Sequence, residues 1–492
     1  MWAVLVRGLP SMSAVLCLSL RLLLPAHAQE QNQDRTLQQI QHIVVIYDEN
    51  RSFDNLYGLF PDARGIDDAL AHYIPQTDLD GRELAVLSPV WLKGNEIDTN
   101  YPDAIPNKPF RLDAPPVNKP LNVATRDLIH RFYQNQEQIN GGRNDRFAAI
   151  SDAGGLVMGY YDGSQLQLWD IARQYTLADN FFMGAFGGSF LNHFWLVCAC
   201  TPEFKNAPDS IRAKESADGK LLRKVNSPSS AMNGPVQLED GAVTPDGYAV
   251  NVLQPPYQPS AIPPAKDGDP MLAGRVPNVL PPQNQKTIGD TLSANGITWA
   301  WYAGGWNKAL ADRSVIYNNG SINFQPHHQP FNYFLRFAPG TFDRAKHLKD
   351  GEEFLSAIKS GTLPQVSFYK PQGDLNEHPG YTDVQSGDAH IARVIRKIEA
   401  SPLWKDTLII VTYDENGGFW DHVPPPKGDR WGPGNRIPTL IISPFAKKGF
   451  VDHTQYDTTS ILKLITRRFN LDSLPGVRDS VGDLSNAVEL QR

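Results

Sequence analysis

The stretch Ile43–Asn55, IVVIYDENRSFDN, and its counterpart Leu408–His422, LIIVTYDENGGFWDH, decide how this chain is read. Each is an apolar, β-branched run that stops at the same four letters, Tyr-Asp-Glu-Asn. Such a run is the pattern of a strand covered on both faces. Strands that end in carboxylates place them at the carboxyl edge of a sheet, where open α/β folds keep their ligands. Two such edges can face one another, and Glu49, Asn50, Asp414 and Glu415 then converge as hard oxygen donors on one divalent cation. The plain alternative is two exposed turns rich in Asp and Asn.

Working outward, further strands are expected at residues 40–47, 177–183, 297–303, 365–369, 407–413 and 439–443. Helical patterns lie between them. Ile391, Val394, Ile395 and Ile398 fall at i, i+3, i+4, i+7, and TTSILKLITRRF follows a cap at Asp457 or Thr458. This alternation predicts an α/β fold, a mostly parallel central β-sheet flanked by helices. No linker divides the chain, so residues 29–492 read as a single domain. Two Pro-rich stretches break the rhythm, at 77–120 and 201–282, the second holding 14 of the 39 prolines. They read as surface insertions around the site, or as decoration.

The first 28 residues, with an early Arg7, an apolar stretch and Ala26-His27-Ala28 at their end, form a secretory signal peptide. That places the protein in the periplasm or outside the cell. Removing Arg7 and Arg21 leaves 44 basic against 53 acidic side chains, a net charge of −9. An acidic chain without a basic run is a poor partner for nucleic acid. After signal removal no segment is long enough to span a membrane. Only Cys198 and Cys200 remain, and a bridge across one residue is strained, so two buried thiols are expected and a thiolate metal site is not.

Residues with chemical potential cluster in a third motif, AFGGSFLNHF. Gly187 and Gly188 precede Ser189 where a strand meets an apolar helix. A Ser there sits by unpaired N–H groups and the positive end of the helix dipole, which suits a nucleophile attacking an anion. An ordinary N-cap is the competing reading. Histidine is sparse, yet His327 and His328 are adjacent, and His130 and His378 lie in polar, Gly-bearing surroundings. Imidazoles bind phosphate oxygens as cations or protonate a leaving alkoxide, although any single histidine can be purely structural.

Together, DENRSFDN, AFGGSFLNH, EHPGYTDV and TYDENGGFWDHVPPP, in this order, resemble the bacterial phosphoesterase family that contains acid phosphatases and phospholipases C. The resemblance implies an alkaline-phosphatase-like fold, one divalent metal ion of unnamed identity, and a phosphate-ester substrate. It makes Glu49, Asn50, Ser189, Asp414 and Glu415 the metal ligands and Ser189 also the nucleophile. His130, His327, His328 and His378 then surround the phosphoryl group. The expected activity is that of an exported, metal-dependent acid phosphatase acting on monoesters, because phospholipase members of the family extend well beyond the catalytic domain. The alternatives are a phospholipase C cleaving phosphodiesters and a non-catalytic phosphate-binding protein. Asn50-Arg51-Ser52 matches a glycosylation pattern that a role for Asn50 as a metal ligand makes incidental.

Overall fold

The structure, a computed structural model, describes residues 33–489, so the proposed signal peptide lies outside the described residues. Eight strands build the central sheet: β1 (His42–Asp48), β2 (Thr176–Ala178), β3 (Trp299–Ala303), β4 (Leu348–Asp350), β5 (Val366–Lys370), β6 (Thr407–Tyr413), β7 (Thr439–Ile442) and β8 (Phe450–Asp452). Their order is β8-β2-β7-β6-β1-β5-β3-β4. All pairings are parallel except those of β7, which runs against both neighbours. The fold is therefore α/β with a mostly parallel sheet. The two apolar runs are its middle: β1 and β6 are adjacent, and every residue of β6 is buried.

The longer helices among the described residues that position the site and the core are α1 (Gln167–Gln174), α2 (Ser189–Cys198), α3 (Gly351–Ser360), α4 (Val384–Glu399) and α5 (Thr458–Phe469). In α4 the predicted stripe Ile391, Val394, Ile395 and Ile398 is buried, and α4 packs on α1 and α3. The start of α5 is settled by Asp457, whose carboxylate accepts from the Thr459 N–H while the Ser460 hydroxyl accepts from the Asp457 N–H. That reciprocal cap satisfies two otherwise unpaired donors.

Two expectations change. The strand expected over 177–183 is broken at Asp179, whose carboxylate accepts from the Arg64 N–H at 2.8 Å and meets His453 at 2.9 Å. The chain bends there, and Phe181–Phe182 pairs instead with Tyr456–Asp457 in a separate two-stranded sheet. Cys198 and Cys200 form a disulfide rather than two thiols. Helix α2 ends at Cys198, and Ala199 takes a left-handed conformation (φ 46°) that turns Cys200 back beside it, leaving the two Cα atoms 5.1 Å apart. Sequence spacing alone does not show that reversal.

Candidate active site

The one-residue offset between the two acidic elbows follows from strand register. Asp48 lies opposite Tyr413, so Glu49 and Asp414 are the first residues to leave the two strands, one from each. The Asp414 N–H donates to the Asp48 carbonyl at 3.1 Å, which carries the pairing one step past the strand ends. The elbows also hold each other. The Ser52 hydroxyl donates to the Trp420 carbonyl at 2.7 Å and caps the short helix that follows. Arg51 is buried, and its Nε and Nη2 donate to the Glu377 carbonyl at 3.0 and 2.9 Å. This fixes the segment that carries His378.

Ser189 is the first residue of α2, and Gly188, not Ser189, occupies the cap position. The serine is thereby freed from capping. Gly187 has φ +89°, and a Cβ there would lie 2.4 Å from the Phe132 nitrogen. Only glycine fits so tight a turn at positive φ. Asn192, one turn into the helix, holds the turn closed: its Oδ1 accepts from the Ala185 N–H at 2.8 Å and its Nδ2 donates to the Ala185 and Gly188 carbonyls. Ser189 Oγ then lies 3.4 Å from Asn50 Oδ1 and 3.3 Å from Glu415 Oε1.

Above Ser189 opens a cavity of about 540 Å³, lined by Glu49, Ser189, His130, His327, His328 and His378. Phe190, Val250, Val252, Tyr317 and Tyr381 add an apolar and aromatic wall. Of the two Pro-rich stretches, only 201–282 contributes to this lining. The stretch 77–120 stands one layer back, where the Trp91 and Leu92 carbonyls accept from the Arg126 guanidinium on the cavity rim.

The structure divides the predicted ligand set. Asn50, Ser189 and Glu415 gather their oxygens, whereas the Glu49 carboxylate turns onto the His328 ring and onto Lys370, whose Nζ is 2.8 Å from Glu49 Oε1. His378 Nε2 stands 3.8 Å from Glu49 Oε2, and His130 Nε2 3.6 Å from Glu415 Oε1. The Nδ1–H groups of His130 and His378 donate to the carbonyls of Leu128 and Pro379, both at 2.6 Å, which leaves the Nε2 atoms to face Glu415 and Glu49. His327 lies buried beside His328 on the cavity wall.

Burial dominates the electrostatics. It pushes Asp48 up to about 8, Asp414 to about 7 against the pull of Lys370, and Glu415 to about 8 against that of His130. For Glu49 burial acts the same way, but the His328 ring and the Lys370 ammonium hold it well below the usual carboxylate range. Burial lowers His378, drives His327 well down and takes His328 to about 4 despite Glu49. His130 is the exception: the carboxylates of Glu415 and Asp127 outweigh its burial and raise it to about 9.

Three groups here escaped the sequence reading. Lys370 is the residue immediately after the predicted strand at 365–369, so its position at the carboxyl edge was visible. His193 follows Ser189 by one helical turn. Its Nδ1–H donates to the Ser189 carbonyl at 2.7 Å and its ring stacks on His328 at 5.4 Å. Asp127 joins His130 and His378 in a cluster whose ligand atoms lie within 4.8 Å of one another, and Asp54, Asp421 and His422 form a second such cluster. In the second, Arg436 already supplies a cation, with Nη2 3.0 Å from Asp54 Oδ1 and Nε 3.0 Å from Asp421 Oδ1.

The model of the Phosphoesterase family matches residues 40–472, nearly the whole described chain. The chain belongs to the phosphoesterase family. This phosphoesterase is 26% identical to Phospholipase C B of Mycobacterium tuberculosis over 92% of its own length and 78% of the relative's. It is also 26% identical to the non-hemolytic phospholipase C of Burkholderia pseudomallei, over 92% of its length and 59% of that chain. Among solved structures it is similar to a protein of the alkaline phosphatase superfamily from Vibrio parahaemolyticus, with 12% identity, a TM-score of 0.32, and coverage of 78% of this chain and 76% of that one. The sheet order itself carries the fold class. The phosphoesterase is a phosphoric ester hydrolase, which sets the non-catalytic binding reading aside. A phospholipase C matched over 78% of its length also removes the length argument that favoured a monoesterase. Among the described residues no helix is long and apolar enough to cross a membrane.

Proposed function

We propose that this phosphoesterase cleaves phospholipid phosphodiesters in the manner of a phospholipase C, with Ser189 as nucleophile. The observation that carries the substrate class is the match over 92% of the chain to relatives named phospholipase C. The apolar wall of Phe190, Val250 and Val252 beside Ser189 suits the lipid side of such a substrate. Export rests on the leader at residues 1–28, and the disulfide suits an oxidising compartment.

Glu49, Asn50, Asp414, Glu415 and Ser189 Oγ would hold a divalent cation. The oxygens of Asn50 and Glu415 sit 3.3–3.4 Å from Ser189 Oγ, close to the roughly 3 Å between neighbouring donors around a small ion with bonds of about 2.1 Å. Asp414 and Glu415 are buried carboxylates pushed toward their protonated forms, the donor chemistry that a cation satisfies. When bound, such an ion lowers the pKa of the Ser189 hydroxyl and neutralises charge on the phosphoryl oxygens.

Ser189 Oγ, its proton passing to solvent, attacks phosphorus in line with the leaving alkoxide, and a seryl phosphodiester that keeps the polar headgroup forms as the P–O bond to the glyceride breaks. His130, which holds its proton most tightly, gives that proton to the leaving oxygen. Water, giving a proton back to His130, then displaces Ser189 and releases the headgroup as its phosphomonoester. His327, His328 and His378 line the same cavity, where imidazole N–H groups would stabilise the non-bridging oxygens.

A second reading, an acid phosphatase acting on monoesters, is favoured by one observation. His327, His328 and His378 all have lowered pKa values, so binding a phosphate dianion through charged imidazoles requires acid. Rates on phosphatidylcholine vesicles, p-nitrophenyl phosphorylcholine and p-nitrophenyl phosphate separate the two. The diesters are expected to turn over faster near neutral pH, whereas a monoester preference with an acidic optimum supports the second reading. Ser189→Ala is expected to lower turnover at least about 10³-fold on every substrate, and full activity in that variant removes the nucleophile assignment.

A further inference from the structure

Lys370 closes β5, and its side chain is fully buried. It does not line the cavity. Its three N–H donors meet three acceptors: Glu49 Oε1 at 2.8 Å, the Asp48 carbonyl at 3.1 Å and Asp414 Oδ2 at 3.3 Å. Strand order makes this reach possible. From β5 the side chain passes the Tyr47 ring on β1, with Nζ 5.1 Å from its centroid, to the carboxylate that follows β6. A buried ammonium persists only where fixed negative charge surrounds it, and here that charge belongs to two of the proposed metal ligands.

Lys370 places its amino group between Glu49 and Asp414, two of the three carboxylates of that ligand set. We infer that Lys370 is a built-in cation of the metal centre, filling the place between Glu49 and Asp414 where a second divalent ion would otherwise sit and so holding the centre to one ion. The inference rests on the metal-ligand reading above. Phosphoryl-transfer sites that use two metals set them about 3.5–4 Å apart, each neutralising part of the developing charge. A lysine amino group held between two carboxylates occupies that position from the chain itself. It also keeps Glu49 and Asp414 aimed at their partners, which makes Lys370 a positioning residue.

Metal-stripped protein titrated with Mn²⁺ at pH 8.5 by equilibrium dialysis reads stoichiometry and affinity with no substrate present. Wild type is expected to bind one ion per chain. Lys370→Met and Lys370→Gln remove a positive charge from between two carboxylates. They are expected to take up a second ion, or to bind the first at least about tenfold more tightly, as Coulomb attraction at this range requires. Lys370→Arg, which keeps the charge, stays at one ion. A purely structural lysine gives the opposite sign, because loss of its contacts lets Glu49 swing away and weakens binding. Unchanged or weaker binding at one ion in folded Met and Gln variants therefore overturns the inference, as do two ions in wild type or in Lys370→Arg. The last two outcomes decide the matter even if the uncharged variants fail to fold. Wild type that binds no ion is a different failure, because it removes the ligand set proposed above before any Lys370 variant is needed.

Discussion

His130 differs from the other cavity histidines in the balance between burial and nearby carboxylates. Glu415 lies 3.6 Å from Nε2 and Asp127 3.6 Å from Nδ1, and together they outweigh its burial, whereas in His327 and His328 burial outweighs the pull of Glu49. Its folded pKa is raised to about 9, so the imidazolium is fully present below the ordinary value of about 6.5 and is lost as pH rises through 9. A divalent ion on Glu415 removes much of that support. In metal-free protein, NMR titration is expected to show His130 ionising near 9, assigned by its absence in His130→Gln, and added metal is expected to move it down. A His130 that titrates below 7 without metal contradicts the geometry. At the same scale, Asn50 is fully buried, which agrees with treating its glycosylation pattern as incidental.

At the scale of elements, the turn into α2 does what a motif reading could only suggest. Gly187, Gly188 and Asn192 together shape a reversal that delivers Ser189 to the carboxyl edge, level with the ends of β1 and β6. Gly187→Ala puts a Cβ against the Phe132 backbone at positive φ. It is expected to cost about 1–3 kcal/mol of stability. Turnover is expected to fall at least about tenfold, because a nucleophile displaced by 1 Å is badly aligned. Calorimetry and initial rates read the two effects. A variant with wild-type melting and wild-type rates shows that the turn does not position Ser189.

Across the whole molecule, the elbows are tied by an ion network that couples stability to pH. His422 Nδ1 meets Asp54 Oδ2 at 2.7 Å and its Nε2 meets Asp68 Oδ2 at 3.1 Å, with Asp421 and Arg436 packed alongside. Burial opposes the charge on His422, but Asp54 outweighs it and raises its pKa. The stabilisation from His422 is therefore fully present below about pH 6.5 and is lost as pH rises through the folded value. Asp54, lowered by His422 and Arg436 against its burial, contributes above about pH 3.9 and loses that contribution as pH falls through its depressed value. Melting temperature is expected to decline from pH 6 to 9 in wild type and to be flatter over that range in His422→Gln. Parallel curves for the two proteins exclude this network as the cause. The sequence by itself determined the sheet's middle strands, the acidic elbows at their ends and the glycine-led serine, because these depend on local pattern: apolar runs, punctuation and the residue types that end a strand. Only the tertiary structure decided the rest. Register made Glu49 and Asp414 the first residues to leave the two strands, Ala199 turned Cys200 back onto Cys198, and a lysine reached carboxylates more than 300 residues earlier in the chain and 44 later. Such contacts follow from which strands lie side by side and how far each side chain can reach, and neither is encoded within a local window.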